Sequence, residues 1–293
     1  MSTTKGKADK AAAVELKPKR VEGHITTLCA IFCIGALGIS KLFPHSDSWP
    51  VLMTTLQGAT STGTYAFSVN DKFTVFFLIG VLTVLRKLAM EGLFAPLARF
   101  FQMEAKETMK FKQQGWVFLY YLTAWCWGFY EYYHSTYWFD TTEMWLGYPH
   151  TASMTVSVKL YFLFQMAFWF HMVFVTLVEP WQGDFIVMLL HHFITIAMLC
   201  GAYLSGHLRA GHTILVEQDL GDIILPAAKM CNYIGLGSSR FNKAFAAAAD
   251  GFFALFAVVW IITRHIFLPI IYYSLWHVAP TMLDAGTHTL HVH

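Results

Sequence analysis

Charge is scarce in this chain. Asp, Glu, Lys and Arg together make up 13% of its 293 residues, against roughly a quarter in soluble proteins, which argues against a soluble globule. The five cysteines, Cys29, Cys33, Cys126, Cys200 and Cys231, form no CxxC pair. Neither a disulfide framework nor a zinc site is indicated, and they read as buried thiols. No GxSxG elbow and no HExxH helix occurs, so a serine hydrolase or a zinc protease would lack its working parts. The HxxxH and HxxHH spacings of a membrane di-iron oxygenase are missing as well. Asn70, Asn232 and Asn242 are not followed by x-Ser or x-Thr, so no glycosylation sequon reports on topology. Net charge is only +2 and the cations form no continuous stripe, which sets nucleic acid aside as a partner. No internal repeat is present.

Apolar residues are abundant at 56%, aromatics reach 17%, and mean hydropathy is +0.48. Crossing about 30 Å of hydrocarbon takes about 20 mostly apolar residues. Seven segments qualify: Ile25 to Phe43, Phe73 to Met90, Trp116 to Tyr133, Val156 to Val178, Phe185 to Tyr203, Thr213 to Ile234, and a long stretch from Ala244 to about Trp276 that counts once. Pro269 is expected to kink or end the last of these. The expected fold class is therefore all-α, a polytopic membrane protein of about seven transmembrane helices. Lys5, Lys7, Lys10, Lys17, Lys19 and Arg20 precede the first span, which puts the N-terminal tail in the cytosol. Alternation then gives the cytosolic side Arg86, Lys87, Arg99, Lys106, Lys110, Lys112, Arg240 and Lys243, as the positive-inside bias requires.

An ionisable group inside a span is costly and needs a pathway, a partner or a reaction to retain it. Two spans carry several. The fifth has His191 next to His192, and the sixth has Glu217, Asp219, Asp222 and Lys229. Three- and seven-residue spacings put Asp219, Asp222 and Lys229 on one helix face. His192 lies roughly 10 Å and Asp222 roughly 18 Å from the cytosolic ends of antiparallel helices at 1.5 Å per residue. An imidazole paired with a carboxylate is held in one tautomer and can take a proton near neutral pH. Lys229 can neutralise a carboxylate or bind an anionic group; both readings stay open. Arg264, beside His265, is either a further partner for a carboxylate or a marker of the membrane surface. His171 is read as a hydrogen-bonded core histidine, and His288, His291 and His293 as a tail without metal. The chemistry left standing is His-centred acyl transfer: a basic imidazole deprotonates an amine or alcohol for attack on a thioester, or attacks it directly. Neither route needs a cofactor.

The run His191, His192, Thr195, Tyr203, Gly211, Asp219, Asp222, Leu225, Lys229 and Tyr233 resembles the Lag1 motif of ceramide synthases, the sphingoid-base N-acyltransferases of the TRAM-LAG1-CLN8 (TLC) group. KFKQQGWVFLYY from Lys110 to Tyr121, the WxGYP segment at Trp145, Gly147, Tyr148 and Pro149, and Arg264 with Pro269 support it, and the similarity covers roughly residues 72–276. The resemblance implies a fungal-type synthase in the endoplasmic reticulum membrane that makes ceramide and CoA from a fatty acyl-CoA and a sphingoid base such as sphinganine or phytosphingosine. It implies His191, His192, Asp219 and Asp222 as catalytic residues, with Lys229, Arg264, Tyr203 and Tyr233 in substrate binding, no metal, and acyl-CoA as co-substrate. Membrane lipids and another synthase subunit, in a homo- or hetero-oligomer, are the further partners. The expected organisation is a cytosolic basic tail at 1–24, two spans and a loop at 25–105, a TLC domain at 106–276 and a polar tail at 277–293. Family members form a six-helix barrel, and this chain is expected to lack the counterpart of the last family helix. Two further departures are Pro226, expected to kink the motif helix, and Gln114 in place of Glu. A catalytically impaired or accessory TLC paralogue, for example in resistance to sphingoid-like toxins, is the alternative. A translocation-associated or lipid-sensing protein would not need the double His and double Asp.

Overall fold

All seven apolar stretches form helices. The computed structural model describes residues 2–44, 48–179, 183, 185–237 and 240–281, without the side chains of residues 2–21. His288, His291 and His293 lie outside these described residues. The helices are α1 (Ser2–Leu42), α2 (Trp49–Thr54), α3 (Asp71–Leu88), α4 (Ala95–Phe100), α5 (Ala105–Tyr133), α6 (Val156–Val178), α7 (Phe185–Ser205), α8 (Leu208–Gly235), α9 (Asn242–Ile262) and α10 (Leu268–His277). Among the described residues there is no strand, only an isolated antiparallel bridge between Tyr65 and Met154.

Among the described residues, five helical runs are long and apolar enough to cross a membrane: Glu22–Leu42, Asp71–Phe100, Val156–Val178, Phe185–Ser205 and Asn242–Thr281. The chain is an all-α, multi-pass membrane protein. The other two expected spans fall in α5 and α8. These have length enough, at 29 and 28 residues, but α8 carries four charged side chains in its middle. The charges that single α8 out in the sequence are also what keep it from qualifying by composition. The helix of α1 begins well before its apolar part, because the Ala-, Lys- and Glu-rich tail consists mostly of strong helix formers.

Prolines do not end these helices. Between α9 and α10 the chain makes a π-helical turn over Thr263–Phe267, so helix runs on past Pro269 instead of stopping. A second π turn, Ala89–Phe94, precedes Pro96 in the same way. Proline lacks the N–H that a ladder carbonyl needs, and widening the preceding turn accommodates the ring. Each π turn also carries a charged residue, Glu91 in the first and Arg264 in the second. Pro226 lies inside α8, which remains one helix, so the Asp222 carbonyl loses its ladder donor while the helix continues.

The chain divides into two compact units. One comprises residues 1–59, 68–85 and 163–200. Here Phe32 stacks on Trp49 with centroids 5.9 Å apart and meets Phe76 edge-on at 5.7 Å. Ser40 and Thr54 hydroxyls join at 2.7 Å, and a Cβ on Gly80 would come 3.0 Å from Cys33 Sγ. The other unit comprises residues 60–67, 86–162 and 201–293. In it α8 packs on α9 at small residues, where a Cβ on Gly235 would lie 3.0 Å from the Ala246 nitrogen, and α5 approaches α6 at Gly128, where a Cβ would lie 2.6 Å from Tyr161 Oη. Trp125 Nε1 donates to the Val216 carbonyl at 3.0 Å. Fully buried Lys159 donates to the Ala66 carbonyl at 2.7 Å. Lys112 reaches Glu91 of the π turn at 2.8 Å.

Candidate active site

The histidine pair sits on α7 in the first unit. Consecutive helical residues point about 100° apart, so the two imidazoles differ in surroundings: His192 is 3% exposed, while His191 is exposed. Both rings flank Trp169 of α6, at centroid distances of 5.6 Å for His191 and 5.7 Å for His192. His192 Nδ1 lies 3.4 Å from Thr176 Oγ1, whose own proton goes to the Met172 carbonyl at 2.8 Å. The hydroxyl proton being committed, Thr176 can only accept, so Nδ1 carries the hydrogen and Nε2 keeps the lone pair. The basic nitrogen of His192 is thereby Nε2. His171 has the same neighbour chemistry: Nδ1 lies 3.3 Å from Thr83 Oγ1, which donates to the Ile79 carbonyl at 2.8 Å. It is fully buried, a core histidine bonded to a hydroxyl.

The carboxyls sit on α8 in the second unit. Asp219 is 2% exposed, and Asp222 is half-buried one turn on. Arg264 of the π turn and Lys229 both lie within electrostatic range of Asp222. Lys229 is exposed, two turns beyond Asp222. Two tyrosines that sequence reasoning does not single out face the same carboxyls: Tyr121 is within range of Asp219, Asp222 and Arg264, and Tyr120 within range of Asp219. Both are buried on α5. The only sequence signal for them is their place at the end of KFKQQGWVFLYY. Glu217 points about 140° away from Asp222 around the helix and lies in range of Tyr132 instead.

The remaining expected residues lie elsewhere. Tyr203 is buried between Phe67 and Phe162 at 5.8 and 6.0 Å. Tyr233 lies under Lys110, 5.9 Å from its ring centre. The WxGYP segment is a packing device. Trp145 Nε1 donates to Ser274 Oγ at 3.1 Å, and the Tyr148 hydroxyl donates to the Ser205 carbonyl at 2.8 Å. The Tyr148–Pro149 peptide is cis. A Cβ on Gly206 would come 2.6 Å from Pro149 Cβ, at a φ of +84° that already favours glycine. His212, which sequence reasoning also passes over, is fully buried between the Tyr137 hydroxyl at 2.7 Å and the Gly128 carbonyl at 3.0 Å.

Ionisable side chains retained in the helices of a multi-pass membrane protein mark a functional site. Comparison with known families is specific: residues 110–292 match the TLC domain of the TRAM, LAG1 and CLN8 group, and the chain belongs to that family. Among curated relatives it is 32% identical over 225 residues to the sphingosine N-acyltransferase-like protein ALT7 of Alternaria alternata, covering 77% of this chain and 50% of that protein. It is 31% identical over 260 residues to ceramide synthase FUM18 of Gibberella moniliformis, with 88% and 58% covered. With sphingosine N-acyltransferase lag1 of Schizosaccharomyces pombe the figures are 31% over 234 residues, 80% and 56%. The chain spans about half the length of these relatives.

Proposed function

We propose that this protein is a ceramide synthase of the endoplasmic reticulum membrane, an acyltransferase that moves a fatty acyl group from acyl-CoA to the amine of a sphingoid base. The observation that carries the proposal is the buried imidazole of His192 with its Nδ1 beside the Thr176 hydroxyl, in a chain whose relatives bear sphingosine N-acyltransferase names. The Nε2 lone pair takes a proton from the sphingoid amine as that nitrogen attacks the thioester carbonyl. The new C–N bond forms, the C–S bond breaks, and the CoA sulfur leaves with the proton returned by the imidazolium. No cofactor enters this sequence.

His191 shares Trp169 with His192 and is assigned to the same step. Asp219 and Asp222 are assigned as the acidic residues the reaction requires. Arg264 offsets the charge of Asp222, and exposed Lys229 serves the anionic part of acyl-CoA, with Tyr233 in substrate binding near Lys110. Tyr203 contributes through the aromatic packing of its own unit. The test is formation of labelled ceramide from sphinganine and acyl-CoA of graded chain length by membranes that lack any other synthase. Product at one or more chain lengths supports the reading, and none at any length, beside an active control synthase, refutes it. Co-purification of the active form distinguishes a chain working alone from one working with another synthase subunit.

A further inference from the structure

Gln218 is a half-buried polar residue that the assignment above leaves unused. Its Oε1 and Nε2 are both shielded, and neither has a hydrogen-bond partner among the described residues. A carboxamide brings two donor hydrogens and two acceptor lone pairs, and leaving such a group unmade inside a membrane helix is costly. Its position is informative. Gln218 is four residues before Asp222, about 40° around the helix from it, on the face that also carries Asp219 and Lys229. One turn on, the Asp222 carbonyl is the acceptor that Pro226 cannot serve. A donor-and-acceptor amide therefore stands next to the acidic residues, in a stretch of α8 otherwise lined by Leu215, Val216, Leu220 and Ile224.

A group that satisfies such an amide must itself donate and accept, as an alcohol does. The amine of a simple alkyl chain offers less, and an acyl-CoA tail offers nothing. We infer that Gln218 is a specificity residue that hydrogen-bonds a hydroxyl of the acceptor substrate, so that this site selects long-chain amino alcohols over plain long-chain amines. The inference rests on the N-acyl transfer reading for the identity of the acceptor. A protein amide placed to bond a substrate hydroxyl rejects the analogue that lacks it, because the amide is then left unpaired.

Gln218→Met keeps the side-chain length and removes both polar atoms. Replacing a polar atom that has no protein partner with an apolar one leaves the fold intact, which an unchanged or raised melting midpoint in detergent verifies. Two measurements then compare sphinganine with octadecylamine, a plain long-chain amine that lacks both hydroxyls. In kinetics, wild type prefers sphinganine in kcat/KM by about tenfold or more, the ratio falls below about threefold in Gln218→Met, and KM for acyl-CoA stays within about twofold. In thermal stabilisation of the purified protein, sphinganine raises the midpoint more than octadecylamine, and Gln218→Met removes the difference. A variant that keeps the preference in both measurements overturns the inference, as does one that loses both bases equally, which marks a bridging water or a packing role. Loss of the binding difference without any amide product from wild type refutes the transfer reading and upholds the hydroxyl site. Amide formation with the preference unchanged in the variant does the reverse.

Discussion

His212 separates a histidine that holds the fold from one that does chemistry. It is fully buried, accepts from the Tyr137 hydroxyl at 2.7 Å and donates from Nε2 to the Gly128 carbonyl at 3.0 Å. Both nitrogens of a neutral ring are thus used, with none to spare for substrate. His212→Leu keeps much of the volume and deletes both bonds. Two neutral hydrogen bonds account for about 1–3 kcal/mol, and leaving the buried Tyr137 hydroxyl unpaired adds about 1–3 kcal/mol. The sum is about 2–6 kcal/mol, against which the relaxation of Tyr137 toward Arg209, 5.5 Å from its ring, sets an expectation near the lower half. For a helical body of this size that is a fall of roughly 5–10 °C in melting midpoint, read by fluorescence in detergent. Turnover per folded molecule at a temperature well below the midpoint stays within about threefold of wild type, since general acid–base groups are worth about 100-fold or more. A variant as stable as wild type, or one stably folded yet inactive, refutes the reasoning and moves His212 from scaffold to chemistry.

Thr176→Val leaves His192 without its Nδ1 acceptor and frees the proton to move to Nε2. Turnover falls about tenfold with acyl-CoA KM unchanged, Thr176→Ser restores it, and equal activity in all three forms dismisses the tautomer argument. Gly128→Ala drives a Cβ to 2.6 Å from the hydroxyl of fully buried Tyr161, which costs about 1–3 kcal/mol of overpacking. Pairing it with Tyr161→Phe recovers part of that loss, and a neutral Gly128→Ala contradicts the close approach. Burial holds the imidazoles of His150 and His207, both outside the spans, below the ordinary value of 6.5. The unfolded chain therefore takes up their protons first as pH falls, so their contribution to stability is present above about pH 6.5 and is lost on acidification below it. The melting midpoint declines between pH 7 and 5.5, less so in His150→Gln, and a flat profile speaks against the burial.

Much of the helix content was legible because apolar runs of about 20 residues admit few other structures. The charged residues of α8 and the paired histidines of α7 stood out for the same reason, being expensive in those surroundings. Partners are another matter. That Thr176 fixes the tautomer of His192, sixteen residues away, depends on the α6 and α7 packing that no local pattern encodes. Tyr120 and Tyr121 read as ordinary aromatics until α5 is laid beside α8. At Pro269 a kink or an end was expected; a π turn accommodates the ring and the helix runs on. Gln218 gave no signal at all, since a single amide in an apolar run looks like tolerated polarity until its lack of a partner is seen.

The central claim is that the imidazole of His192 carries the acyl transfer. Comparison of His192→Ala with wild type, with ceramide formed from sphinganine and acyl-CoA as the readout, tests it most directly. The account predicts that the variant loses about 100-fold or more in turnover while keeping its melting midpoint. A His192→Ala protein that still makes ceramide at the wild-type rate would contradict it.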